Sequence, residues 1–428
     1  MERLSTGENS GERLEEPVGE CADRSADARR RADEVFARIA WSGIAEPGDG
    51  VAGTLLAGLG AGTALEILVR ASGAAELRSA VAAAGIDLDA GTARAAFGRW
   101  APRLSRARVL QDIDQALRAG MRIVVPGDAF WPDALADLGA HQPLMLWLRG
   151  EASLLRAPAL SVVGARAATE YGTDVTAEIV TGVCGAGLTI VSGAAYGVDA
   201  VAHRAALAAG APTVAVLAGG ADHVYPAAHA PLLGRISRDG LVCAEMPPGS
   251  TPTRWRFLQR NRIIAALSGA TLVTEAGMRS GTLNTAGHAA SLGRTLGAVP
   301  GPVTSAASVG CHRLIREYGA TLVTNASEAC ELLGFDDRFG GVLESGIGGD
   351  AVGSGAGSAG PRESSLHRRV VDALPLRGGR AASEVARRAG LSLEEARGGL
   401  AELELLGRVG RRDSPGVGEE LWALVRRQ

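Results

Sequence analysis

The chain has 428 residues, of which 46% are hydrophobic and only 4% aromatic, and its formal net charge is −3. This length is typical of two to four domains, and no apolar run approaches the roughly 20 residues that span a bilayer. All 44 basic residues are arginine, which excludes a P-loop lysine and a Schiff-base lysine. The polar N-terminus lacks a secretory signal, so we expect a cytoplasmic protein with no membrane partner.

The five cysteines are scattered without a CxxC pair, and the seven histidines form neither HExxH nor HxH. Small buried residues are the ordinary explanation of such cysteines, so we expect no disulfide framework and no metal site. His223 and His229 flank Tyr225-Pro226, but two imidazoles in one proline-containing loop are weak evidence for a metal.

The N-terminal third predicts a tail followed by a helical domain. Residues 1–30 are charged and lack apolar periodicity, which predicts disorder. Residues 31–116 contain helical patterns separated by glycine-rich connections, and they resemble a helix-hairpin-helix or sterile-alpha-motif bundle. The helical patterns are 33–41, 63–71 and 93–104, and two strands, 121–125 and 144–148, are predicted after them.

Six short apolar runs dominate the central domain, residues 117–338, and each ends in a turn rich in glycine, serine or acidic residues. The runs are 159–163, 188–191, 213–217, 241–244, 271–274 and 295–299. Such runs are typical of buried parallel strands with helices between them, which predicts an α/β protein. Ligands bind beyond the carboxyl ends of these strands, where backbone N–H groups and helix N-termini favour phosphate.

The C-terminal part predicts a linker and a small domain. Residues 339–361 are rich in glycine and serine, which predicts a flexible linker. In residues 362–428 the predicted helices are 366–374, 382–389 and 393–405, and the predicted strands are 408–411 and 420–425. Three helices and then a β-hairpin is the order of a winged helix. Such domains contact DNA in some proteins and dock protein partners in others, and the sequence leaves both open.

The first turn of the central domain, Gly164-Ala165-Arg166, departs from GxGxxG because it lacks the second and third glycines. No acidic residue lies in 185–189, where a ribose-binding carboxylate is expected, so the sequence argues against NAD. We therefore expect no cofactor. Arg166 stands at a strand end, where an arginine holds a phosphate or forms a surface salt bridge.

The second turn begins with Ser192 and Gly193 and leads into a helix. These two residues offer a hydroxyl and a backbone N–H to a ligand, and Asp199 is placed to accept hydrogen bonds at the helix N-terminus. A catalytic pair of Asp199 and His203 at i, i+4 spacing is conceivable, but no nucleophile stands beside it.

Four arginines and two aromatic residues interleave in residues 254–262, which is the strongest local signal in the chain. Proteins that bind single strands combine a cationic track with flat platforms on which bases stack. The alternative places Trp255 and Phe257 in the core and leaves the arginines solvated. Arg260 and Arg262 are predicted at a helix entrance, where cations oppose the helix dipole unless an anion such as phosphate binds.

These motifs, in this order and spacing, closely resemble the DNA-processing protein A (DprA/Smf) family. The matching segments are 163–166, 171–172, 192–203, 225–226, 245–248, 259–268, 275–286 and 299–301. The resemblance implies an extended Rossmann-like domain between a helical N-terminal domain and a C-terminal winged helix. Members of the family bind single-stranded DNA, dimerise through the Rossmann-like domain and load a RecA-type recombinase during natural transformation, with no catalytic turnover attributed to them.

The resemblance implies DNA contact by Arg166, the Ser192-Gly193 turn, Arg260, Arg262 and Arg279. The full set of candidate DNA-binding residues adds neighbours in the same segments: Tyr196, Gly197, Asn261, Ser280 and Gly281. Some relatives have a basic residue where this chain has Tyr196, so here a stacking platform replaces a phosphate contact. Asn284, where a hydrophobic residue is commoner, is interpreted as a packing variation.

Two other functions remain in competition. Related Rossmann-like folds hydrolyse nucleoside monophosphates with a Pro-Gly-Gly-x-Gly-Thr loop and a nearby glutamate. Glu275, Gly277, Gly281 and Thr282 echo that pattern only partly and in another order. A regulator that binds duplex DNA through the winged helix is the third hypothesis.

Overall fold

The computed structural model describes residues 18–334 except Arg279, and then 367, 370–371, 373–375, 379–405, 408–412 and 421–425. The chain forms two compact units, residues 1–348 and 349–428. The predicted linker, 339–361, and the first 17 residues of the predicted tail lie outside the described residues.

Six helices form the N-terminal region. They are α1 (Val18–Ile44), α2 (Gly50–Leu59), α3 (Ala61–Arg70), α4 (Ala74–Ala83), α5 (Ala90–Trp100) and α6 (Arg106–Arg118). The rings of Trp41 and Trp100 meet edge to face in the core, with centroids 5.2 Å apart. Asp49 caps α2 and also accepts a hydrogen bond from the Trp100 indole at 3.0 Å.

Helix α1 begins at Val18, so residues 18–30 are helical and the predicted disordered tail is wrong for this stretch. The segment is rich in alanine and arginine, which are strong helix formers. Two features of the segment predict disorder: it is highly charged, and apolar periodicity begins only near position 33. Helix propensity together with continuity into the packed part of α1 explains the longer helix.

Helices α2 and α3 are short and apolar and meet at Gly60. Among the described residues, no single helix is long and apolar enough to cross a membrane. The α2–α3 pair reaches the required length and composition only when both helices are counted together, and they are bent by 113° at their junction. Leu55, Leu56 and Leu68 of this pair are buried inside the protein.

A nine-stranded sheet forms the centre of the first unit. Its strands are β1 (Arg122–Val124), β2 (Leu146–Gly150), β3 (Ala159–Val163), β4 (Thr189–Ser192), β5 (Thr213–Gly220), β6 (Leu241–Met246), β7 (Ala270–Val273), β8 (Thr295–Ala298) and β9 (Thr321–Leu322). The order is β1-β2-β6-β5-β4-β3-β7-β8-β9. Strands β3 to β9 pair in parallel, and β1 and β2 are antiparallel additions beside β6. All six predicted parallel strands are confirmed, and β9 was not predicted.

Helices cover both faces of the sheet. They are α7 (Glu170–Gly185), α8 (Val198–Ala208), α9 (Ala230–Asp239), α10 (Arg254–Ala266), α11 (Thr282–Ser291), α12 (Val309–Glu317) and α13 (Ala326–Glu331). Alternate residues of β3 belong to different cores: Leu160 and Val162 pack with residues of α7 and α8, and Val163 with residues of α10. The chain runs from β3 to β4 on one side and enters β7 on the other. The strand order therefore reverses at β3, where an open α/β sheet forms its ligand crevice.

The second unit contains α14 (Ala382–Ala389), α15 (Leu393–Leu405) and a three-stranded antiparallel sheet. Its strands are β10 (Arg380–Ala381), β11 (Val409–Arg412) and β12 (Leu421–Leu424), in the order β10-β12-β11. Val385, Leu400, Leu403 and Trp422 form its core. Two predicted helices and the predicted hairpin strands are thus present, while residues 366, 368, 369 and 372 of the predicted helix 366–374 lie outside the described residues.

Candidate nucleic-acid interface

A cleft of about 470 Å³ opens at the carboxyl edge of the sheet, beside the reversal of strand order. Its walls come from the turns that follow β3, β4 and β7 and from one side of α10. The lining residues are Val163, Gly164, Ala165, Arg166, Ala195, Asp199, Phe257, Leu258, Arg260, Asn261, Ile264, Gly277, Ser280, Gly281, Thr282 and Thr285. The cleft therefore lies where the sequence predicted a ligand site.

The ring of Phe257 is the centre of the cationic wall. The guanidinium carbon of Arg166 lies 5.1 Å from the ring centroid, and that of Arg260 lies 5.8 Å from it. The Tyr225 ring is 5.5 Å away. Arg166 is exposed and, within the described part of the chain, forms no ion pair. Its charge is therefore available to a ligand, and the alternative of a surface salt bridge is not what the structure shows.

Arg260 is buried and joins α10 to the turn after β4 and to β5. Its Nη1 donates hydrogen bonds to Gly193 O at 2.6 Å and to Val216 O at 2.7 Å. Burial lowers the pKa of Arg260 to about 10, against the opposing effect of the nearby Asp199 carboxylate, so the group stays charged at neutral pH. A Cβ at Gly193 would lie 2.4 Å from the guanidinium nitrogens, which explains why glycine stands there.

The turn between β4 and α8 is held in an uncommon conformation. Ala194 has a positive φ of 54°, a region that costs a non-glycine residue energy. The backbone N–H of Ala195 donates to the buried Asp199 carboxylate at 3.3 Å, and His229 Nδ1 bonds with Ala194 O at 3.0 Å. Burial raises the pKa of Asp199 above its usual value. These contacts fix the turn and leave Tyr196 49% exposed.

The conceivable Asp199–His203 catalytic pair is absent. His203 is fully buried, and its Nδ1 bonds instead with Thr213 Oγ1 at 2.8 Å. Burial, with the charge of Arg260 nearby, lowers the pKa of His203 to about 3. The imidazole is therefore neutral and structural.

Glu275 is also committed to the fold. Its two carboxylate oxygens accept from the backbone N–H of Thr169 at 2.8 Å and from Thr169 Oγ1 at 2.6 Å. Thr169 caps α7, so Glu275 ties the β7 turn to the start of that helix. On the facing side, Thr282 Oγ1 donates to Gly164 O at 2.8 Å. The turns after β3 and β7 are thereby locked together.

Two candidate residues do not face the cleft. Arg262 is 2% exposed, and it donates to Glu245 Oε1 at 2.8 Å and to His141 O at 2.8 Å. Ser192 is fully buried, and its hydroxyl donates to Val162 O at 2.6 Å. Both side chains are consumed by internal hydrogen bonds, so their predicted role in DNA contact gives way to a structural one.

The predicted helix entrance at Arg260 and Arg262 is also wrong. Helix α10 begins at Arg254, where Thr253 accepts a hydrogen bond from the Arg256 backbone N–H. Both arginines therefore lie well inside the helix, away from its positive end. Their charges are balanced by carbonyl oxygens and carboxylates, so no bound anion is needed to explain them.

The remaining candidates that the structure describes lie in or beside the cleft. Arg166, Arg260, Asn261, Ser280 and Gly281 line it. Tyr196 is exposed on the adjoining turn, Gly193 lies under the Arg260 guanidinium, Gly197 caps α8, and Arg279 lies outside the described residues. Asn284 is more than a packing variation, because its Oδ1 accepts from Asn261 Nδ2 at 3.1 Å.

Aromatic side chains form part of the cleft rim, and the candidate DNA-binding residues include neither Phe257 nor Tyr225. Trp255 is 55% exposed and Phe257 lines the cleft, so the alternative that places both in the core is wrong. Tyr225, 48% exposed, contacts the Phe257 ring. The sequence places Tyr225 in a proline-containing turn after β5, which is a plausible ligand-binding position. Only the fold shows that this turn reaches α10.

The cleft favours an anionic ligand that also carries flat rings. Helices α7, α8 and α11 begin at this edge of the sheet, and their N-termini add positive potential. Across the described ranges, no group of three or more His, Cys, Asp or Glu side chains is arranged to hold a metal. The arrangement offers charge, backbone N–H groups and aromatic surface.

Fold and site together define a Rossmann-like α/β protein with a cationic, aromatic-lined cleft at its switch point. Residues 122–334 match the family described as DNA recombination-mediator protein A. The chain is 44% identical over 318 residues to a putative DNA processing protein DprA of Mycobacterium tuberculosis, covering 72% of this chain and 79% of that protein. The chain belongs to the DprA/Smf family.

The solved structure of a Streptococcus pneumoniae relative agrees with this assignment, and a Helicobacter pylori structure shows a weaker likeness. DprA from Streptococcus pneumoniae superposes with a TM-score of 0.55 and 30% identity, covering 70% of this chain and 97% of that one. DprA from Helicobacter pylori, whose structure was solved for its single-stranded DNA binding mode, gives a TM-score of 0.46 and 25% identity over 50% of this chain and 96% of that one.

Proposed function

We propose that this protein is a non-enzymatic recombination mediator that binds single-stranded DNA in the cleft. The observation that carries the proposal is the Phe257 ring with the Arg166 and Arg260 guanidinium groups within 6 Å of its centroid. A strand laid along this wall places a phosphate on Arg166 and a base on the ring. The family description as a recombination mediator supports the same conclusion.

The aromatic rim favours single strands over duplex DNA. Stacking contributes roughly 1–3 kcal/mol per base, and only an unpaired base offers its face to a side chain. Tyr225 is about half exposed, and its ring lies 5.5 Å from that of Phe257, so it extends the platform that Phe257 begins. A duplex would engage only the cations of the rim, so it would bind more weakly.

The proposal includes partners that the resemblance implies. The protein would protect incoming strands, load a RecA-type recombinase onto them and act as a homodimer in the cytoplasm, in natural transformation or general recombination. The domain layout is part of the proposal: a helical domain, 31–116; a Rossmann-like domain, 117–338; a linker, 339–361; and a winged helix, 362–428. Residues 260, 279 and 281 remain proposed DNA contacts, with Arg260 acting through its cleft-facing edge.

The alternative is a nucleotide hydrolase acting in the same cleft. It requires a free carboxylate, whereas Glu275 accepts two hydrogen bonds from Thr169. Incubation with AMP tests this alternative directly. Base release that disappears in Glu275→Gln would support hydrolysis, and no release by the wild-type protein would support the mediator.

The deciding experiment is binding to a fluorescent poly-dT oligonucleotide and to a matched duplex across a salt series. We expect tight, salt-sensitive binding with a clear preference for the single strand. Equal binding of both, or none, would overturn the proposal. Deletion of residues 341–428 separates it from a duplex regulator, because a strand-binding mediator keeps its affinity while a regulator loses it. A recombinase filament assay on coated strands then tests the loading step.

A further inference from the structure

Helix α10 has two working sides. Phe257, Arg260 and Asn261 line the cleft, while Arg256 and Gln259 contact the N-terminal helical region. A rigid helix transmits any rotation or shift on one side to the other. The position of the cleft side chains therefore depends on what holds the opposite side.

Glu46, in the loop between α1 and α2, holds that opposite side. Its Oε2 accepts from Arg256 Nε at 2.9 Å and its Oε1 from Arg256 Nη2 at 3.0 Å, which is the two-point geometry of a strong arginine–carboxylate pair. Arg103, in the short 3₁₀ turn that follows α5, bonds the same carboxylate at 2.9 Å. Arg256 Nη1 also donates to Thr251 O at 2.9 Å. The side chains of Glu46 and Arg256 are only 26% and 15% exposed.

The same loop touches α10 one turn further on. A Cβ on Gly48 would lie 2.3 Å from Gln259 Oε1, so the loop backbone rests directly on that side chain. Gly48 O bonds with His141 Nδ1 at 2.9 Å, and His141 O accepts from Arg262 Nε at 2.8 Å. The 46–49 loop is thus fastened to α10 over two successive turns.

A second connection reaches the loops around the cleft edge. Gln115 on α6 donates through Nε2 to Asp222 Oδ2 at 2.6 Å. The Asp222 carboxylate also accepts from Gly249 N at 2.9 Å, which joins the turns after β5 and β6. The helical region therefore contacts both the helix and the loops that lead into it.

We propose that Glu46 is a positioning residue, and that the N-terminal helices set the DNA affinity of the cleft by fixing α10 through the Glu46–Arg256 pair. This inference rests on the proposed single-strand binding. It gives the helical region a role in DNA recognition although none of its residues lines the cleft.

The sign of one substitution distinguishes positioning from simple electrostatics. Glu46→Gln removes a negative charge from the neighbourhood of a polyanion, so charge alone predicts tighter DNA binding. Loss of the clamp predicts weaker binding, because Phe257 and Arg260 are no longer held in place. If Arg256 instead contacted phosphate directly, its release from Glu46 would also tighten binding.

The test is a double-mutant cycle in the full-length protein with a fluorescent dT oligonucleotide. We expect Glu46→Gln and Arg256→Gln each to weaken binding by about tenfold, and the double variant to be no weaker than either, as for residues acting as one unit. The matched control is Arg103→Gln, which removes a bond to the same carboxylate but leaves the clamp intact. It should bind within about twofold of wild type.

Melting temperatures separate positioning from loss of fold, because all binding is measured well below each transition. Gln259→Ala supplies a second route, since it removes the contact with the 46–49 loop without uncovering a charge, and we expect about a threefold loss. Unchanged or tighter binding by both Glu46→Gln and Gln259→Ala would overturn the inference. Absence of strand binding by the wild-type protein would instead refute the proposed function.

Discussion

Replacement of Arg166 by alanine tests the cationic wall most directly, because this side chain is exposed and its loss should not disturb the fold. A hydrogen bond between charged groups contributes roughly 1.5 kcal/mol, which is about tenfold in affinity. We therefore expect about tenfold weaker binding of poly-dT at 50 mM salt. The melting temperature should stay within experimental error of wild type.

The salt dependence gives a second, independent magnitude. Each phosphate contact on a single strand changes the slope of log affinity against log salt by about 0.7. If Arg166→Ala loses one contact, the ratio of wild-type to variant affinity falls by about 2.6-fold as salt rises from 50 to 200 mM.

Fluorescence anisotropy across that range measures both quantities. The control is Arg70→Ala, which removes the same charge from a side chain that is 81% exposed on α3. Parallel salt slopes and equal affinities for wild type and Arg166→Ala would refute the reasoning, because the exposed Arg166 guanidinium would then carry no phosphate.

Three further substitutions follow from buried contacts. Gly193→Ala places a methyl group 2.4 Å from the Arg260 guanidinium, and we expect a stability loss of about 1–3 kcal/mol with weakened poly-dT binding, measured by urea unfolding and anisotropy; a neutral effect on both would contradict the close approach. Arg262→Met leaves the partly buried Glu245 without its partner, so we expect about 3–5 kcal/mol of destabilisation. The salt slope of the folded fraction should stay unchanged, and a changed slope would make Arg262 a phosphate contact. The pKa of His203 is lowered to about 3, so below the ordinary value near 6.5 the unfolded chain binds a proton that the folded chain does not. Stability should fall by about 1.4 kcal/mol per pH unit between pH 6.5 and 3 from this group, and urea midpoints of His203→Asn should show a correspondingly shallower fall.

Continuous apolar runs made the parallel strands predictable. The run 159–163 coincides with β3, and the other five overlap their strands to within a few residues. Strand β9 has only two residues and exposed side chains, so it leaves no pattern that a sequence can reveal. Helix α10 was placed too late because its longest continuous apolar run, 263–266, lies at its end, while its true start depends on the Thr253 cap.

The candidate site was predictable in position but not in the role of each side chain. From the sequence alone, every arginine between 254 and 262 looks equally free to bind a phosphate. Whether each one is free depends on acceptors from distant segments, such as Glu46 for Arg256 and Gly193 for Arg260. Arg166 stands three residues after β3, and among the described residues no distant carboxylate forms an ion pair with it. Its place at the cleft could therefore be predicted from the strand alone.

Both edges of the nine-stranded sheet end in very short strands, and this limits how the protein can associate. Strand β1 has three residues and β9 has two. An edge of this length presents too few unpaired N–H and C=O groups to template another strand. We therefore expect contacts between copies of the chain to be made by side chains and helices, so that the molecule can be concentrated along a strand of DNA without its sheets joining end to end.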